Sequence, residues 1–341
     1  MKKKLAYIDY WHHEYTKSND FLKEELSKEF EITNFWWSKY SKIPINEIKK
    51  FDNIFFFQVI FPYRIIKKLG KKNIIWAPMY DGLDIKSFFF NWVFWKQIFD
   101  INIKILSFSE KIKKFCEKNS IEYLNLQYFD EPKKNISKSN YPYKILFWYR
   151  GDIKLEDWIG IFNPNDVQKI YYIDIPDPGK KSELIDRKYL EKYNIEIIKK
   201  KFELNKKKFL DYLNEVDVFI APRKKEGIGL PLIEAISHGK YVIGFDDSTM
   251  NEYITDKKIG CLFKNNIIEL NKNDVIDNIH FRHEYAEQKY QLWLIDKNKI
   301  NEFILKEKKK VNVNFFVKSI FWIDDIKYFI KSILKKNIFK Y

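Results

Sequence analysis

Two glutamates bracket a short turn that contains two glycines and a proline. Glu226 comes before the turn Gly227-Ile228-Gly229-Leu230-Pro231, and Glu234 comes after it. Glu234 also lies within a run of apolar residues, between Ile233 and Ala235. A carboxylate in such surroundings requires hydrogen-bond partners or a ligand, because burying it alone is costly. Glu234 therefore indicates either a polar ligand or partners within the fold.

The turn itself suits a phosphate group. Apolar, strand-like runs lie on both sides of it, at residues 216–222 and 241–245. Pro231 suits the first turn of a helix, where its missing N–H costs nothing, and Gly239 suits the end of that helix. A glycine loop that opens directly into a helix presents unpaired N–H groups and a partial positive charge. The pattern predicts a strand, a phosphate-binding loop and a helix, in that order.

Arginine is scarce, which makes its positions informative. The 62 basic residues include only five arginines, namely Arg64, Arg150, Arg187, Arg223 and Arg282. Arg150 and Arg223 each follow an apolar, strand-like run. In a lysine-rich chain, an arginine at a strand end indicates a need for a planar, bidentate group. Both are candidate ligands for an anion.

The block from Glu226 to Phe263 resembles the motif of the retaining glycosyltransferases of family 4 (group 1), which have the GT-B fold of two Rossmann-like domains. In that family, two glutamates bracket a Gly-x-Gly-Leu-Pro turn, as Glu226 and Glu234 do here. The similarity continues at Asn251-Glu252-Tyr253-Ile254 and at Ile259-Gly260-Cys261-Leu262-Phe263, which correspond to the family's Glu-x-Ile and Gly-x-Leu segments. The order and spacing of the whole block make the resemblance specific.

The resemblance implies a role for each residue of the motif. Glu234 would bind the ribose hydroxyls of a nucleotide, and Glu226 would face the transferred sugar. The donor phosphates would be bound by backbone N–H groups of the turn, at Gly227, Ile228, Gly229 and Leu230. Ordinary solvated glutamates and a purely structural turn are the alternatives.

Basic residues would complete the donor site. The resemblance places an arginine and a lysine near the diphosphate, which Arg150 and Lys154 match loosely; both could instead be surface charges. Arg223 and Lys224 replace a serine of the family pattern, and either add charge near the donor or face outward. The implied reaction is front-side attack with retention, in which the leaving phosphate assists deprotonation of the acceptor.

The first half of the chain offers three candidates for the acceptor side or the cleft. The loop after the first predicted strand contains His12 and His13, which could orient the acceptor or contact the donor phosphates. Asp81 follows another predicted strand, and an ordinary Asp-Gly turn is the alternative there. Adjacent histidines rarely ligate one metal, and Asp246-Asp247 and Asp324-Asp325 lack an Asp-x-Asp spacing. We therefore expect no metal and no cofactor, because the nucleotide-sugar is a substrate.

Short apolar runs alternate with amphipathic segments along the whole chain, which favours an α/β fold with two parallel sheets. We predict an N-terminal Rossmann-like domain at residues 1–135, a polar linker at 130–142, and a C-terminal Rossmann-like domain at 143–300. A cleft between them would hold the site. A helical segment at 301–341 would pack back on the N-terminal domain or lie on a membrane. The predicted strands are 5–10, 32–37, 53–60, 73–78, 103–108, 122–128, 144–149, 168–175, 195–200, 216–221, 241–245 and 261–263. Predicted helices include 20–30 and 110–119, with Asn19 and Ser109 as their N-caps.

Composition narrows the class of protein. The chain has 341 residues, 45% of them hydrophobic and 18% aromatic, which excludes a disordered protein. Its two cysteines, Cys116 and Cys261, indicate no disulfide framework and suggest a reducing compartment. The aromatic run at 88–99 is too short to cross a bilayer. We expect a cytoplasmic protein, with association at the inner face of the membrane as a further expectation.

The net charge of +15 favours anionic partners, although much of it is compatible with an ordinary lysine-rich surface. The expected partners are a nucleotide-sugar donor, a glycan or lipid-linked acceptor and an anionic membrane surface, but no nucleic acid. Within residues 311–341, apolar positions 322, 326, 329, 330 and 333 have helical spacing and alternate with lysines. The predicted function is sugar transfer in cell-surface polysaccharide or glycoconjugate synthesis. The alternative is a non-catalytic relative that only binds carbohydrate or protein.

Overall fold

The structure is a computed structural model that describes residues 2–38, 43–83, 93–134, 139–177, 179–199, 206–264 and 270–307. These residues form two compact units. The first unit comprises the described residues up to Ser107, then Lys111–Asn125 and those from Asn298 onward. The second unit comprises Phe108–Glu110 and the described residues within Leu126–Lys297.

A sheet of six parallel strands forms the centre of the first unit. Its strands are β1 (Lys3–Tyr10), β2 (Phe30–Trp37), β3 (Asn53–Phe57), β4 (Asn73–Ala77), β5 (Lys104–Ser107) and β6 (Tyr123–Asn125). They lie in the order β2-β1-β3-β4-β5-β6. The central strands are buried over most of their length, which explains why they read as continuous apolar runs rather than alternating ones.

Helices connect these strands. They are α1 (His13–Thr16), α2 (Asp20–Leu26), α3 (Ile45–Ile48), α4 (Tyr63–Lys67), α5 (Trp95–Ile101) and α6 (Glu110–Lys118). The core between sheet and helices is rich in aromatic and β-branched residues, including Ile54, Phe56, Trp76 and Trp95. Such crossovers are what a parallel sheet requires.

The second unit repeats the architecture. Its strands are β7 (Tyr143–Tyr149), β8 (Val167–Asp174), β9 (Ile195–Ile198), β10 (Val218–Ile220), β11 (Tyr241–Phe245) and β12 (Gly260–Phe263). They are parallel and lie in the order β12-β11-β10-β7-β8-β9. Its helices are α7 (Arg187–Tyr193), α8 (Lys206–Glu215), α9 (Leu230–Ser237), α10 (Met250–Tyr253), α11 (Lys272–Ile276) and α12 (Ile279–Asp296).

Each sheet has one point at which the chain reverses the direction in which strands are added. In the first unit this point lies between β1 and β3, and in the second unit it lies between β7 and β10. Ligands of open α/β sheets bind outside the carboxyl ends of the strands at such points. The topology therefore selects the loop after β1 in the first unit, and the loops after β7 and β10 in the second.

The last described helix, α13 (Lys299–Leu305), belongs to the first unit. Lys104 Nζ donates to the carbonyl oxygens of Phe303, Ile304 and Lys306 at 2.9, 2.8 and 2.8 Å. A helix ends with unpaired carbonyl groups, and a cation there satisfies them. Burial lowers the pKa of this lysine to about 8. Residues 308–341, which include most of the predicted C-terminal segment, lie outside the described residues.

All twelve predicted strands are present, and the differences lie at their ends. The strand predicted to reach Ile60 ends at Phe57, because Gln58 adopts a left-handed φ of 58°. Asn19 occupies the predicted N-cap position of α2, and the capping role of Ser109 stays a prediction. Asn19 makes no side-chain cap and donates instead to Asp9, while the N–H of Glu110 is bound by both carboxylate oxygens of Glu252 at 3.1 Å.

The predicted domain bounds differ from those of the two units. The described residues of the predicted linker belong to the second unit: Lys133 N–H donates to Ser237 O at 2.9 Å, and Asn140 N–H donates to Asp217 Oδ1 at 2.7 Å. Residues 298–300, predicted as part of the C-terminal domain, belong to the first unit. Among the described residues, no helix is both long enough and apolar enough to cross a membrane.

Candidate active site

The glycine turn leads directly into α9. Gly229 occupies the N-cap position with a left-handed φ of 81°, a conformation that favours glycine, and Pro231 lies in the first turn of the helix. The first helical bond runs from Ile233 N–H to Gly229 O at 3.0 Å. Gly239 ends the helix with a φ of 69°. The helix start thus has the form predicted for an anion site, with its first N–H groups lacking intrahelical partners.

Two arginines lie at the carboxyl ends of the central strands of the second unit, and one aspartate joins them. Arg150 follows β7, Arg223 follows β10, and Asp177 follows β8. Arg150 donates to Asp177 Oδ1 from Nε at 2.6 Å and from Nη2 at 2.5 Å. Arg223 Nη2 donates to Asp177 Oδ2 at 2.6 Å. A guanidinium plane also stacks over Trp148, with Arg150 Cζ 4.5 Å from the ring centroid.

Glu226 extends this network toward the glycine turn. Its Oε2 lies 4.0 Å from Arg223 Nη1, and the residue is 9% exposed. A Cβ atom built on Gly229 would lie 3.9 Å from Glu226 Cβ, so the carboxylate stands beside the start of α9. The structure therefore brings Arg150, Arg223 and Glu226 together at the reversal point of the sheet.

Glu234 is buried within α9 and has a basic partner. Lys206 Nζ, at the start of α8, lies 3.1 Å from Glu234 Oε1 and 4.0 Å from Asp130 Oδ2. Burial raises the pKa of Glu234, and the ammonium of Lys206 opposes that shift. The sequence predicts either a ligand or partners for this carboxylate. Lys206 is such a partner, and at 61% side-chain exposure it remains accessible to solvent.

Lys154 lies apart from the arginine pair. It is exposed, and its backbone N–H donates to Asp157 Oδ2 at 2.7 Å. It lines a cavity of about 390 Å³ together with Gly151, Lys180 and Glu183. Gly151 directly follows Arg150, so this cavity adjoins the arginine site. The structure shows no contact between Lys154 and Asp177, and the joint role predicted for Arg150 and Lys154 stays a prediction.

A comparison with known protein families finds a match in this part of the chain. The family model of the glycosyl transferases group 1 matches residues 179–291, which contain Arg223, the glycine turn and both glutamates. This part of the chain is therefore similar to the group 1 glycosyl transferases. No curated protein sequence is significantly similar to it.

Solved structures extend the similarity to the whole GT-B fold. A glycosyltransferase from Rickettsia africae ESF-5 has 14% identity and a TM-score of 0.57, with 90% of this chain and 100% of that chain covered. Anabaena HepE, solved with UDP and glucose, has 9% identity and a TM-score of 0.57, with 89% and 100% covered. WaaG, a glycosyltransferase involved in lipopolysaccharide biosynthesis, has 12% identity and a TM-score of 0.52, with 89% and 100% covered.

In the first unit of the protein, a buried aspartate organises the loop after β1. Asp9 is fully buried and accepts from Tyr10 N–H at 2.7 Å. Its Oδ1 lies 2.6 Å from His13 Nδ1, and its Oδ2 accepts from Asn19 Nδ2. The carboxylate therefore fixes the plane of the imidazole and places a proton on Nδ1, which leaves Nε2 as an acceptor in the neutral ring.

The two histidines predicted as acceptor or cleft residues differ in their surroundings. His13 is 5% exposed and packs against Phe57 at the end of β3, with ring centroids 5.6 Å apart. His12 is exposed and stacks on Tyr10 at 5.5 Å. Trp11 and Tyr15 beside them are 53% and 74% exposed. The reversal point of the first sheet thus carries an ordered imidazole next to exposed aromatic rings.

Asp81 lies in a short 3₁₀ turn, Tyr80–Gly82, in which Gly82 N–H donates to Met79 O at 3.1 Å. The Asp-Gly turn that the sequence offered as its alternative is therefore present. The turn does not decide the role of the exposed carboxylate of Asp81. Its assignment to the acceptor side stays a prediction.

Sequence reasoning missed four residues that complete these sites: Asp177, Lys206, Asp9 and Asn19. Asp177 stands before Pro178-Gly179 and reads as an ordinary turn residue, and Asp9 reads as an interruption in an apolar strand. The signal in Asp9 is that interruption, because a charge inside a buried strand requires partners. Lys206 is one of six lysines between residues 199 and 208 and carries no distinguishing signal.

Two other notable residues serve the fold rather than the site. Arg282 is fully buried in α12 and donates to the carbonyl oxygens of Gly239, Lys258, Asp274 and Val275. Glu252, within the family's Glu-x-Ile segment, accepts from Glu110 N–H and Ser248 Oγ. Among the described residues, no group of three or more His, Cys, Asp and Glu side chains is placed to hold a metal ion.

Proposed function

We propose that this glycosyltransferase moves a sugar from a nucleotide-sugar donor to a glycan or lipid-linked acceptor, with retention of configuration. The observation that carries the proposal is the pairing of Arg150 and Arg223 beside the glycine turn of α9. Two guanidinium groups and a helix start at one sheet edge form a site for a doubly charged leaving group. The second unit would hold the donor.

In this proposal, catalysis is mainly electrostatic. Negative charge develops on the diphosphate as the glycosidic bond breaks, and preorganised donors aimed at that charge lower the barrier. Arg150, Arg223 and the N–H groups at Gly229 and Leu230 would supply them. Retention would follow from front-side attack, in which a phosphate oxygen of the leaving group accepts the proton of the acceptor hydroxyl.

The two glutamates would orient the donor. Glu226 lies beside Arg223 and the glycine turn, where it would accept hydroxyl groups of the transferred sugar. Glu234 is buried in α9, where its oxygens would accept the ribose hydroxyls in place of Lys206. Charged acceptors bind hydroxyl donors more strongly than neutral ones do, which suits carboxylates to this task.

We further propose that the first unit binds the acceptor. Asp9 binds His13 Nδ1, so that Nε2 would be the acceptor of the neutral ring and would position a hydroxyl of the acceptor sugar. The exposed rings of Trp11 and Tyr15 offer apolar faces against which a sugar ring could pack. In this scheme His13 binds a hydroxyl of the acceptor sugar next to the reacting one, while the departing phosphate takes the proton of the reacting hydroxyl.

We also propose that transfer needs no metal ion. The support is that two arginines and a helix start already supply the positive charge that a divalent cation would otherwise bring to the diphosphate. The assay is transfer after treatment with EDTA, with and without added manganese. We expect full activity in each case. Activity abolished by EDTA and restored by manganese would overturn this part of the proposal.

The donor is identified by thermal shift against UDP-, GDP-, dTDP- and CMP-sugars, because a ligand that binds only the native state raises its stability by mass action. UDP-glucose is the first to test, since the structurally similar HepE was solved with UDP and glucose. Turnover of the stabilising donor with glycan acceptors then separates transfer from binding alone. A donor that stabilises the protein but is never turned over would support the non-catalytic alternative.

The last part of the proposal concerns the acceptor and the place in the cell where transfer occurs. We propose that the acceptor belongs to a cell-surface polysaccharide or glycoconjugate, and that transfer takes place on the cytoplasmic side, at an anionic membrane surface. The support is the lysine and aromatic pattern of residues 311–341, which lie outside the described residues, together with the net charge of +15. The neighbour WaaG acts in lipopolysaccharide biosynthesis, a setting of this kind.

A further inference from the structure

One carboxylate occupies the space between the two arginines of the donor site. Asp177 accepts two bonds from Arg150 on Oδ1 and one bond from Arg223 on Oδ2. Both of its oxygens are therefore engaged, and each arginine directs at least one N–H group at it. A diphosphate oxygen would use the same N–H groups, because guanidinium binds carboxylate and phosphate with the same fork geometry.

Within the contacts described above, the charges of these four residues balance. Arg150 and Arg223 contribute two positive charges, and Asp177 and Glu226 contribute two negative charges. A diphosphate added to this network would meet like charge from Asp177 at close range. Its binding would therefore be opposed unless the aspartate left the arginines.

The surrounding backbone allows such a movement of the side chain. Asp177 N–H donates to Arg150 O at 3.1 Å, and Lys180 N–H donates to Asp177 O at 2.9 Å, so the backbone of the loop is held on both sides. The carboxylate itself is 23% exposed and lies beyond the end of β8. A rotation of the side chain toward solvent would free both guanidinium groups without breaking a strand.

We propose that Asp177 is a resident counter-ion that holds Arg150 and Arg223 side by side in the donor-free protein and that the donor diphosphate displaces. The inference rests on the proposed function and makes Asp177 a positioning residue that sets the affinity of the site for diphosphate. It competes with the donor and with the nucleoside diphosphate product for the same two arginines. Release of the product is assisted as the carboxylate returns.

The test measures binding in the full-length protein. Asp177→Asn retains the shape of the side chain and removes its charge. We expect the Kd for inorganic pyrophosphate, and for the nucleoside diphosphate of the donor found by thermal shift, to fall on the order of tenfold at low salt. The KM for the donor should fall with it. Asp177→Ser serves as a second variant should the asparagine side chain itself compete for the arginines or impair folding.

The matched control is Asp152→Asn. Asp152 lies near the same loop, with Oδ1 3.5 Å from Lys180 Nζ, and none of the described contacts joins it to either arginine. The substitution therefore removes the same unit of charge without changing a bond to the arginines. Its Kd should stay close to that of the wild type. Unchanged or weaker binding in both Asp177 variants, with wild-type melting temperatures, would overturn the inference while leaving the proposed function intact. If neither pyrophosphate nor any nucleotide binds the wild type, the proposed function and the inference both fail.

Discussion

The two sheets of the protein end in loops of opposite chemical character, although their topologies follow the same rule. At the reversal point of the second sheet, an aspartate joins two arginines, Arg150 and Arg223. At the reversal point of the first sheet, Asp9 joins a histidine and an amide, His13 and Asn19. The first arrangement concentrates positive charge that an anion can take over. The second fixes an imidazole and an amide, hydrogen-bonding groups that suit a hydroxyl.

This difference teaches that the fold selects the position of a site, and that the side chains select its ligand. In both units a carboxylate stands behind the groups that would touch the ligand. Asp177 is partly exposed, as its proposed displacement requires, whereas Asp9 is fully buried together with the histidine that it binds. A donor that must enter and leave as an anion and an acceptor that must only be oriented require these two different solutions.

The largest expected effect on transfer comes from removing a charged side chain from the site of the second unit. Arg150→Ala should lower the rate of transfer by about 10²-fold or more, the scale seen when one preorganised charge-stabilising donor is removed. Glu226→Ala should lower it on a similar scale. The measurement is kcat/KM for the donor in variants whose melting temperatures match the wild type.

Arg187→Ala is the control for the arginine variant, because Arg187 is 88% exposed and pairs only with the neighbouring surface residue Glu191 in the described contacts. It should transfer at the wild-type rate. Near-wild-type rates in a folded Arg150→Ala protein would contradict the role of this arginine in transfer, and with it the assignment of the donor site to the second unit.

The next effect concerns the first unit. His13→Gln should raise the KM for the acceptor about tenfold, the effect of one lost hydrogen bond in a preorganised site, while donor binding stays unchanged. Asp9→Asn should do the same, because it releases the imidazole that it orients. The measurements are acceptor KM and donor Kd on the same preparations, with circular dichroism to establish folding.

His280→Gln is the matched control, since His280 is exposed on α12 in the other unit. A change in donor Kd with an unchanged acceptor KM in the His13 variant would reverse the assignment, because it would place this histidine on the donor phosphates. The sequence does not distinguish His12 from His13, and the structure does, because the ring of His13 is buried and that of His12 is exposed.

The sequence predicts the architecture well and the site only in part, for reasons visible in particular residues. Parallel strands are buried on both faces, so runs such as Tyr241–Phe245 can be recognised without their neighbours. The turn at Gly229 is likewise local, because its backbone conformation requires glycine. Asp177, in contrast, acquires its role from Arg150, 27 positions away, and from Arg223, 46 positions away. Spacing along the chain does not indicate contacts between residues so far apart in sequence.

A smaller effect separates function from stability at Glu234. Because burial raises its pKa, the folded protein holds this proton more tightly than the unfolded chain does. The stability that the protonated carboxyl contributes is present at low pH and is lost as the pH rises from the ordinary value of 4.5 through the raised pKa. Glu234→Gln should therefore melt a few degrees higher than the wild type at neutral pH and lose part of this pH dependence.

The same variant should bind the donor nucleotide more weakly, because a neutral amide is a poorer acceptor for ribose hydroxyls than a carboxylate. Glu191→Gln, on the surface of α7, should change neither property. Thermal melts from pH 4.5 to neutral pH, with and without nucleotide, measure both effects. A Glu234→Gln protein that is less stable at neutral pH yet binds nucleotide normally would show that this glutamate belongs to the fold and not to the donor site.

The last prediction, with the smallest expected effect, is that the protein also binds an anionic membrane surface. Residues 311–341 combine lysines with apolar residues at helical spacing, a composition that suits an interfacial helix, with aromatic rings at the acyl boundary and ammonium groups on anionic lipid. We expect the full-length protein to sediment with anionic liposomes at low salt, and to lose this association at high salt, because the attraction is screened. A variant lacking residues 311–341 should remain in the supernatant while keeping its nucleotide-induced thermal shift, which shows that it still folds. An intact protein that ignores anionic liposomes at low salt would leave this segment as a packing element and confine the anionic partners of the protein to the donor.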